Sequence, residues 1–246
     1  MTAPPPPDDL SFKEGNDGKP LPPESVARTL EDLVRIAEAI GVRWALIGGQ
    51  ALLAHGVPRE TRDVDVLVSR HATLALATEL CRSAGWTPLQ YRSWTRDYVP
   101  VAEPTLHHFD DLVLFSLPCE RVMYSLRSPP RLLVQLLSAQ HRIERAMVDD
   151  AVPGLHFGVR VPLAPLGGVL LVKALAERTK DIAAIEQTAE QAPSEALDEA
   201  VAWLRKQDRV SAEWLTSVVD QAKARGRAVA RGGGAVPGRG PARPVP

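Results

Sequence analysis

The sequence predicts an α/β fold whose last third is helical, and three observations lead there. A short apolar run, Val42–Ile47, ends in two glycines and passes at once into a helix-like segment, and the strand–helix alternation continues to Ala84. β-forming residues dominate the middle, in Trp86–Tyr91, Asp97–Val101, Leu112–Leu117, Val122–Leu126 and Leu132–Leu137. Helical periodicity then takes over in His141–Asp150, Leu170–Gln191, Ser194–Gln207 and Ser211–Arg225. No internal repeat is visible.

Taken in order, the elements have local reasons. Residues 1–23 carry seven prolines and almost nothing apolar, which predicts a disordered tail. Ser25 can cap a helix running to Ile40, with Leu30, Leu33, Ala37 and Ile40 on one face and Gly41 as its stop. After the Val42–Ile47 strand, Gln50–His55 reads as a short helix closed by Gly56 and Pro58. Asp63–Val68 alternates acid and aliphatic, as a strand does. Thr73–Ala84 is amphipathic and stops at Gly85. From Gly226 onward the chain is Gly, Ala, Pro and Arg with a few valines and no periodicity, which predicts a second disordered tail. The expected organisation is therefore a core over 24–139 and a helical part over 140–225 packed on it, between tails 1–23 and 226–246.

Composition narrows the function classes. With 246 residues, 45% of them hydrophobic, the chain can bury a sizeable core. A formal net charge of −1 gives no general argument for nucleic acid or membrane. No apolar run approaches the roughly 20 residues that span a bilayer. The Pro- and Asp-rich start lacks the basic and apolar regions of a signal peptide. Cys81 and Cys119 stand alone, without CxxC or zinc spacing. The expectation is a reduced, cytoplasmic protein.

The chemistry concentrates between Ala45 and Val68. Gly48 and Gly49 let the backbone approach a ligand closely, and the helix that follows offers unpaired N–H groups to a phosphate. Downstream, Asp63 and Asp65 stand two apart on a strand, so both carboxylates point to one face. Two acids on one face repel each other unless a cation lies between them. Hard oxygen ligands that leave room for phosphates suit Mg²⁺. Val64 and Val66 face the other way. Together these parts make a site for a metal-bound triphosphate.

This pattern, hydrophobic-Gly48-Gly49 and then Asp63-Val64-Asp65, resembles the polymerase-β-like nucleotidyltransferase superfamily. Within it, the run Arg59-x-Thr61-x-Asp63-Val64-Asp65 is similar to the nucleotidyltransferases of bacterial toxin–antitoxin and abortive-infection (AbiE-type) systems. The resemblance implies a mixed sheet carrying the acids and transfer of a nucleoside monophosphate from NTP. The acceptor would be a nucleic acid end such as tRNA, or a side chain of a cognate partner protein. It implies Mg²⁺ or Mn²⁺ held by Asp63 and Asp65, with room for two ions, and a nucleotide-binding role for Gly48, Gly49 and Arg59. A second match is Leu170-Leu-Val-Lys173-Ala-Leu-Ala-Glu-Arg178-Thr-Lys180-Asp181. By the same resemblance Lys173 would touch the triphosphate as a catalytic group, and Lys180 and Asp181 would close the site.

One departure stands out. The superfamily supplies a third carboxylate from a later strand, and the aligned position here, in Arg131–Ser138, carries Gln135. Glutamine coordinates or donates, but it is neither a base nor a counter-charge to a dication. Asp110 and Asp111 are the substitutes within reach of the pattern. The rival reading is a catalytically degenerate module that binds nucleotide or a partner. Other features have simpler explanations. His107 and His108 are adjacent and point to opposite faces if they lie on a strand, so they do not share an ion. His55 reads as a capping or packing residue, Cys81 as core, and Trp203 and Trp214 as helical anchors. The tail Lys223–Arg243 has six positive charges and no negative ones, so it can touch nucleic acid weakly, although a merely solubilising tail accounts for it as well.

Overall fold

Why the chain turns where it does is visible in a computed structural model, which describes residues 12–13, 21–92, 97–104, 106–109, 113–114, 117–118, 121–129, 132–176 and 179–230. The first strand, β1 (Phe12–Lys13), lies within the tail read as disordered and pairs with a later strand. Helix α1 (Pro23–Ala39) starts at Pro23, whose fixed φ suits a first helical position, so Ser25 falls inside the first turn and caps nothing. Its Leu30, Leu33 and Ala37 are buried as expected, whereas Ile40 follows the helix and is 38% exposed.

The sequence then builds the pieces that matter. β2 (Trp44–Ile47) is buried throughout, α2 (Gly48–Ala54) follows without a linker, and β3 (Asp63–Ser69) returns beside β2. α3 (Thr73–Ala84) ends at Gly85 in the left-handed conformation. The β-rich middle gives β4 (Thr87–Arg92), β5 (Asp97–Pro100), β6 (Leu106–Phe109), β7 (Val113–Leu114), β8 (Leu117–Pro118), β9 (Arg121–Arg127) and β10 (Leu133–Ala139). The expected single strand over Leu112–Leu117 is instead the pair β7 and β8, which form a separate two-stranded sheet.

Past β10, the structure departs from an all-helical reading. α4 (Arg142–Asp149) opens on a capping box in which Glu144 accepts from the backbone N–H of His141 at 3.1 Å. A hairpin of β11 (Val152–His156) and β12 (Val159–Leu163) comes next, and it was not expected. Helices α5 (Leu166–Ala176), α6 (Thr179–Gln191), α7 (Ser194–Gln207) and α8 (Arg209–Ala230) complete the described residues. The helix expected over Leu170–Gln191 falls on α5 and α6, with residues 177–178 between them outside the described residues, and α8 runs beyond the expected end at Arg225. Asp208 starts α8 by accepting from the Ser211 N–H at 2.8 Å.

The fold is a mixed α/β sheet with flanking helices and a C-terminal helical layer. Ten strands run in the order β1-β5-β4-β9-β10-β3-β2-β12-β11, with β6 also paired to β9. β10 pairs parallel with β3 and β12 parallel with β2, while the remaining pairs are antiparallel. Because β12 joins β2, the segment after residue 140 is not helical alone: its hairpin extends the sheet of the preceding segment. Val64, Val66 and Val68 are fully buried on one side of β3. α4 packs against β2, β3 and β10, and α3 against β4, β9 and β10. α5 links the layers, packing on α2, α6 and α7. Gly167 and Gly168 make that possible, since a Cβ would lie 3.1 Å from Leu204 Cγ at the first and 2.9 Å from Met147 Sδ at the second. Among the described residues, no helix is long and apolar enough to cross a membrane.

Candidate functional site

At the junction of β2 and α2, the chain folds its glycines against the acids of β3. Ile47 is the register partner of Asp65 on the antiparallel strand, so the turn that follows Ile47 sits beside that carboxylate. Gly48 adopts φ +67°, a conformation that L side chains resist. A Cβ there would lie 2.9 Å from both Cβ and Cγ of Asp65 and closer still to Oδ2. Gly49 is as tightly placed: a Cβ would lie 2.7 Å from Thr61 Cβ and 3.6 Å from Arg59 Nε. The bare backbone of these two residues is therefore the floor on which Asp65, Thr61 and Arg59 converge.

Asp63 and Asp65 alternate with the buried Val64 and Val66 and remain partly exposed on the opposite side of β3. The Thr61 hydroxyl leans on Asp63, lying 3.4 Å from both its Oδ1 and its main-chain oxygen, which braces the strand entry. Arg59 is more unusual. Its Nε and Nη1 are shielded from solvent and have no hydrogen-bond partner among the described residues. Leaving guanidinium N–H groups buried and unpaired costs free energy, on the order of 1–3 kcal/mol for each orphaned group. An anion set on the Gly49 backbone would satisfy them.

Gln135 lies on β10, the strand beside β3. In the parallel β3–β10 pair its register partner is Asp65, so both side chains share a face. The Gln135 amide donates to Tyr98 Oη at 3.0 Å. Tyr98 comes from β5, separated from β10 by β4 and β9, and forms a small buried cluster with Leu89 and Leu133. Ser125, the partner of Gln135 on β9, has a buried hydroxyl without a hydrogen-bond partner among the described residues. On this flank the acids thus meet a half-buried neutral amide. Asp110 and Asp111 lie outside the described residues.

Lys173 on α5 does not present a separate charge: its Nζ donates to Asp181 Oδ1 at 3.0 Å, and both side chains are buried. Lys180 falls in the first turn of α6, and its side chain lies outside the described residues. The motif helices do reach the first motif, because α5 packs on α2 and the Gln187 amide of α6 donates to Pro58 O at 2.6 Å, next to Arg59.

Sequence reasoning missed the supports of α2. His156 on β11 is hydrogen-bonded to Gln50 Oε1 at 2.7 Å, and both are buried. His55, read as a packing residue, bonds Ala164 O at 2.9 Å. Burial pushes the pKa of both imidazoles down. No local sequence signal marks the pairs, whose partners are more than a hundred positions apart. Cys81 is half-buried and burial raises its thiol to about 11, which makes it inert as a nucleophile. Trp203 and Trp214 pack on the core as expected.

The donor set fits a hard divalent ion. Two carboxylates on one face, one of them seated on a glycine that no side chain can occupy, offer oxygen ligands beside an anion seat. Among the described residues, no three His, Cys, Asp or Glu side chains gather, so phosphate and water oxygens would complete such an ion's shell.

No protein-family model matches the chain, and no curated protein matches it. Solved structures do. The chain is similar to an antigenic nucleotidyltransferase-like protein from Paracoccidioides brasiliensis, at 21% identity over 82% of this chain and 95% of that one, TM-score 0.43. It is similar to a putative nucleotidyltransferase from Thermotoga maritima, at 10% identity over 70% of this chain and 96% of that one, TM-score 0.46. It is also similar to the antibiotic-resistance factor ANT(2'')-Ia, at 11% identity over 86% of this chain and 98% of that one, TM-score 0.43. These structural neighbours are nucleotidyltransferase-like proteins.

Proposed function

We propose that this chain is an NTP-dependent nucleotidyltransferase of the toxin–antitoxin type, moving a nucleoside monophosphate from Mg-NTP to an RNA end or a partner-protein hydroxyl. One observation carries the reading: the Gly48–Gly49 turn is packed so closely that the Asp65 carboxylate and the unpaired Arg59 guanidinium both abut bare backbone.

Asp63 and Asp65 would hold Mg²⁺ or Mn²⁺, and the bound ion would polarise the α-phosphate and balance charge on the departing pyrophosphate. Arg59 donates its orphaned N–H groups to the phosphates over Gly49. Gly48 keeps the Asp65 carboxylate in place by having no side chain. Lys173, held by Asp181 on helices that pack beside α2 and its loop, would offer its ammonium N–H groups to the triphosphate rather than added net charge, and Lys180 stands next to Asp181 in sequence. In the reaction the acceptor oxygen forms a bond to the α-phosphorus while the bond to pyrophosphate breaks. No carboxylate stands at position 135 to take the acceptor's proton, so it leaves to water or to the acceptor's own surroundings.

A second reading, a nucleotide- or partner-binding module without catalysis, is favoured by Gln135, whose neutral amide is committed to Tyr98. One experiment separates the two. Each NTP, radiolabelled at the α-phosphate, is offered with Mg²⁺ or Mn²⁺ to total tRNA and to co-purifying protein, with an Asp63→Ala/Asp65→Ala variant alongside. Label transferred by the wild type and lost in the variant supports the transferase and identifies its acceptor. Binding without transfer supports the module. Neither binding nor transfer would sink both.

A further inference from the structure

α2 is the least self-sufficient element near the acids. It has seven residues, under two turns, and its N-cap, Ile47, has no side chain able to cap it. Its axis is therefore set by what it touches. Two of its side chains make buried or half-buried polar bonds, one in the first turn and one just past the end. Gln50 Oε1 accepts from His156 Nε2 at 2.7 Å, and His55 Nε2 donates to Ala164 O at 2.9 Å. Gln50 is 1% and His156 4% exposed, so the first bond is made without competition from water.

Both outside partners belong to one supersecondary unit. His156 closes β11, and Ala164 directly follows β12. That hairpin is stiff. Its two-residue turn has positive φ at both positions, +46° at Phe157 and +82° at Gly158, the geometry that matches strand twist. The Phe157 ring lies against the imidazole with centroids 4.3 Å apart. The hairpin is also joined to β2, the strand that delivers Gly48: Leu163 is the register partner of Leu46, and the Ala164 N–H donates to Leu46 O at 3.1 Å. One rigid hairpin thus fixes both the strand entering the Gly48–Gly49 turn and the helix leaving it.

We propose that His156 and His55 form a clamp that holds α2 at the angle that keeps the Gly48–Gly49 turn on Asp65, with His156 as the principal positioning residue. Neither histidine touches the acids or the reacting groups. The clamp rests on the proposed nucleotide site, because its consequence is read as nucleotide affinity. It also gives the edge hairpin a role distinct from core packing.

The test is the affinity of the full-length chain for Mg²⁺ with each of the four common NTPs in turn, measured by calorimetry well below the melting temperature. His156→Leu removes the donor, His156→Gln keeps an N–H donor, and Gln50→Met/His156→Leu removes the orphaned amide as well. The clamp predicts at least tenfold weaker binding by His156→Leu and wild-type affinity within threefold for His156→Gln. It predicts that the double variant melts close to wild type yet still binds at least tenfold more weakly. If His156→Leu fails to fold, the two other variants carry the comparison. Affinity within twofold of wild type in the folded His156→Leu or double variant, with a lower melting temperature only, would overturn the clamp and leave the nucleotide site standing. Absence of NTP binding by the wild type would overturn both.

Discussion

Replacing Gly48 with alanine separates backbone conformation from site geometry, because Gly85 provides a matched control. Both residues adopt nearly the same left-handed φ, +67° and +66°. Alanine in that region costs roughly 1–2 kcal/mol. At Gly85 a new Cβ meets nothing within 4 Å, so that cost is the whole effect. At Gly48 the Cβ would lie 2.9 Å from Asp65 Cβ and Cγ, and the carboxylate must move. Forcing an extra carbon into such a space adds about 1–3 kcal/mol. Gly48→Ala is therefore expected to lose about 2–5 kcal/mol in urea denaturation, against 1–2 for Gly85→Ala. The functional difference should be larger. A displacement near 1 Å at a reacting centre costs on the order of 100-fold. Mg-NTP affinity or transfer should fall by about that factor in Gly48→Ala and stay unchanged in Gly85→Ala. Equal stability loss in the two variants, together with intact nucleotide binding by Gly48→Ala, would refute the reasoning.

Two further predictions concern the buried charges. Asp181→Ala strands the Lys173 ammonium, whose side chain is only 9% exposed, and should cost about 3–5 kcal/mol by chemical denaturation. Lys173→Met/Asp181→Leu, which removes both charges, should recover most of that loss. The chain should also lose stability on the acid side through His55 and His156. Their folded pKa values lie below the ordinary 6.5, so the unfolded chain takes up protons first as pH drops. Stability with respect to these groups is full above about pH 6.5 and declines as pH falls from there toward the folded values. His156→Gln should flatten part of that decline in melting temperature measured from pH 7.5 to pH 5; an identical slope would show that the imidazole is not neutral and buried as described.

How much of this was legible in the sequence depends on whether the signal was local. The order strand, Gly-Gly, helix, Asp-Val-Asp strand was readable because each part carries its own periodicity and the glycines mark the turn. Leu132–Leu137, apolar except at Gln135, was readable as a strand, whereas its register against Asp65 follows from the sheet order and from nothing local. The β11–β12 hairpin was missed because Pro153, Gly154 and Pro162 argue against strands. Pro153 lies on the edge strand β11, Pro162 on β12 precedes Leu163, which makes the one register pair that joins β12 to β2, and Gly154 lets Leu163 pack at close range. The surviving cue was the alternation Val159, Val161, Leu163 after Phe157-Gly158. The start of α5 was hidden for a related reason: Gly167 and Gly168 look like breakers, yet they sit inside a helix that needs close approach to α7 and Met147. Tyr98, Gln50 and His156 could not be read at all. Their roles arise from partners that only the sheet order brings within reach.

The central claim is that Asp63 and Asp65 on β3 hold a divalent ion for a nucleotide seated on the Gly48–Gly49 turn. Its most direct test is calorimetric titration of wild type and Asp65→Asn with each NTP, with Mg²⁺ and with the ion chelated. The account predicts wild-type binding that requires Mg²⁺ and weakens at least 100-fold in Asp65→Asn, a loss of about 2.7 kcal/mol or more. Binding that ignores Mg²⁺, or that survives Asp65→Asn unchanged, would contradict it.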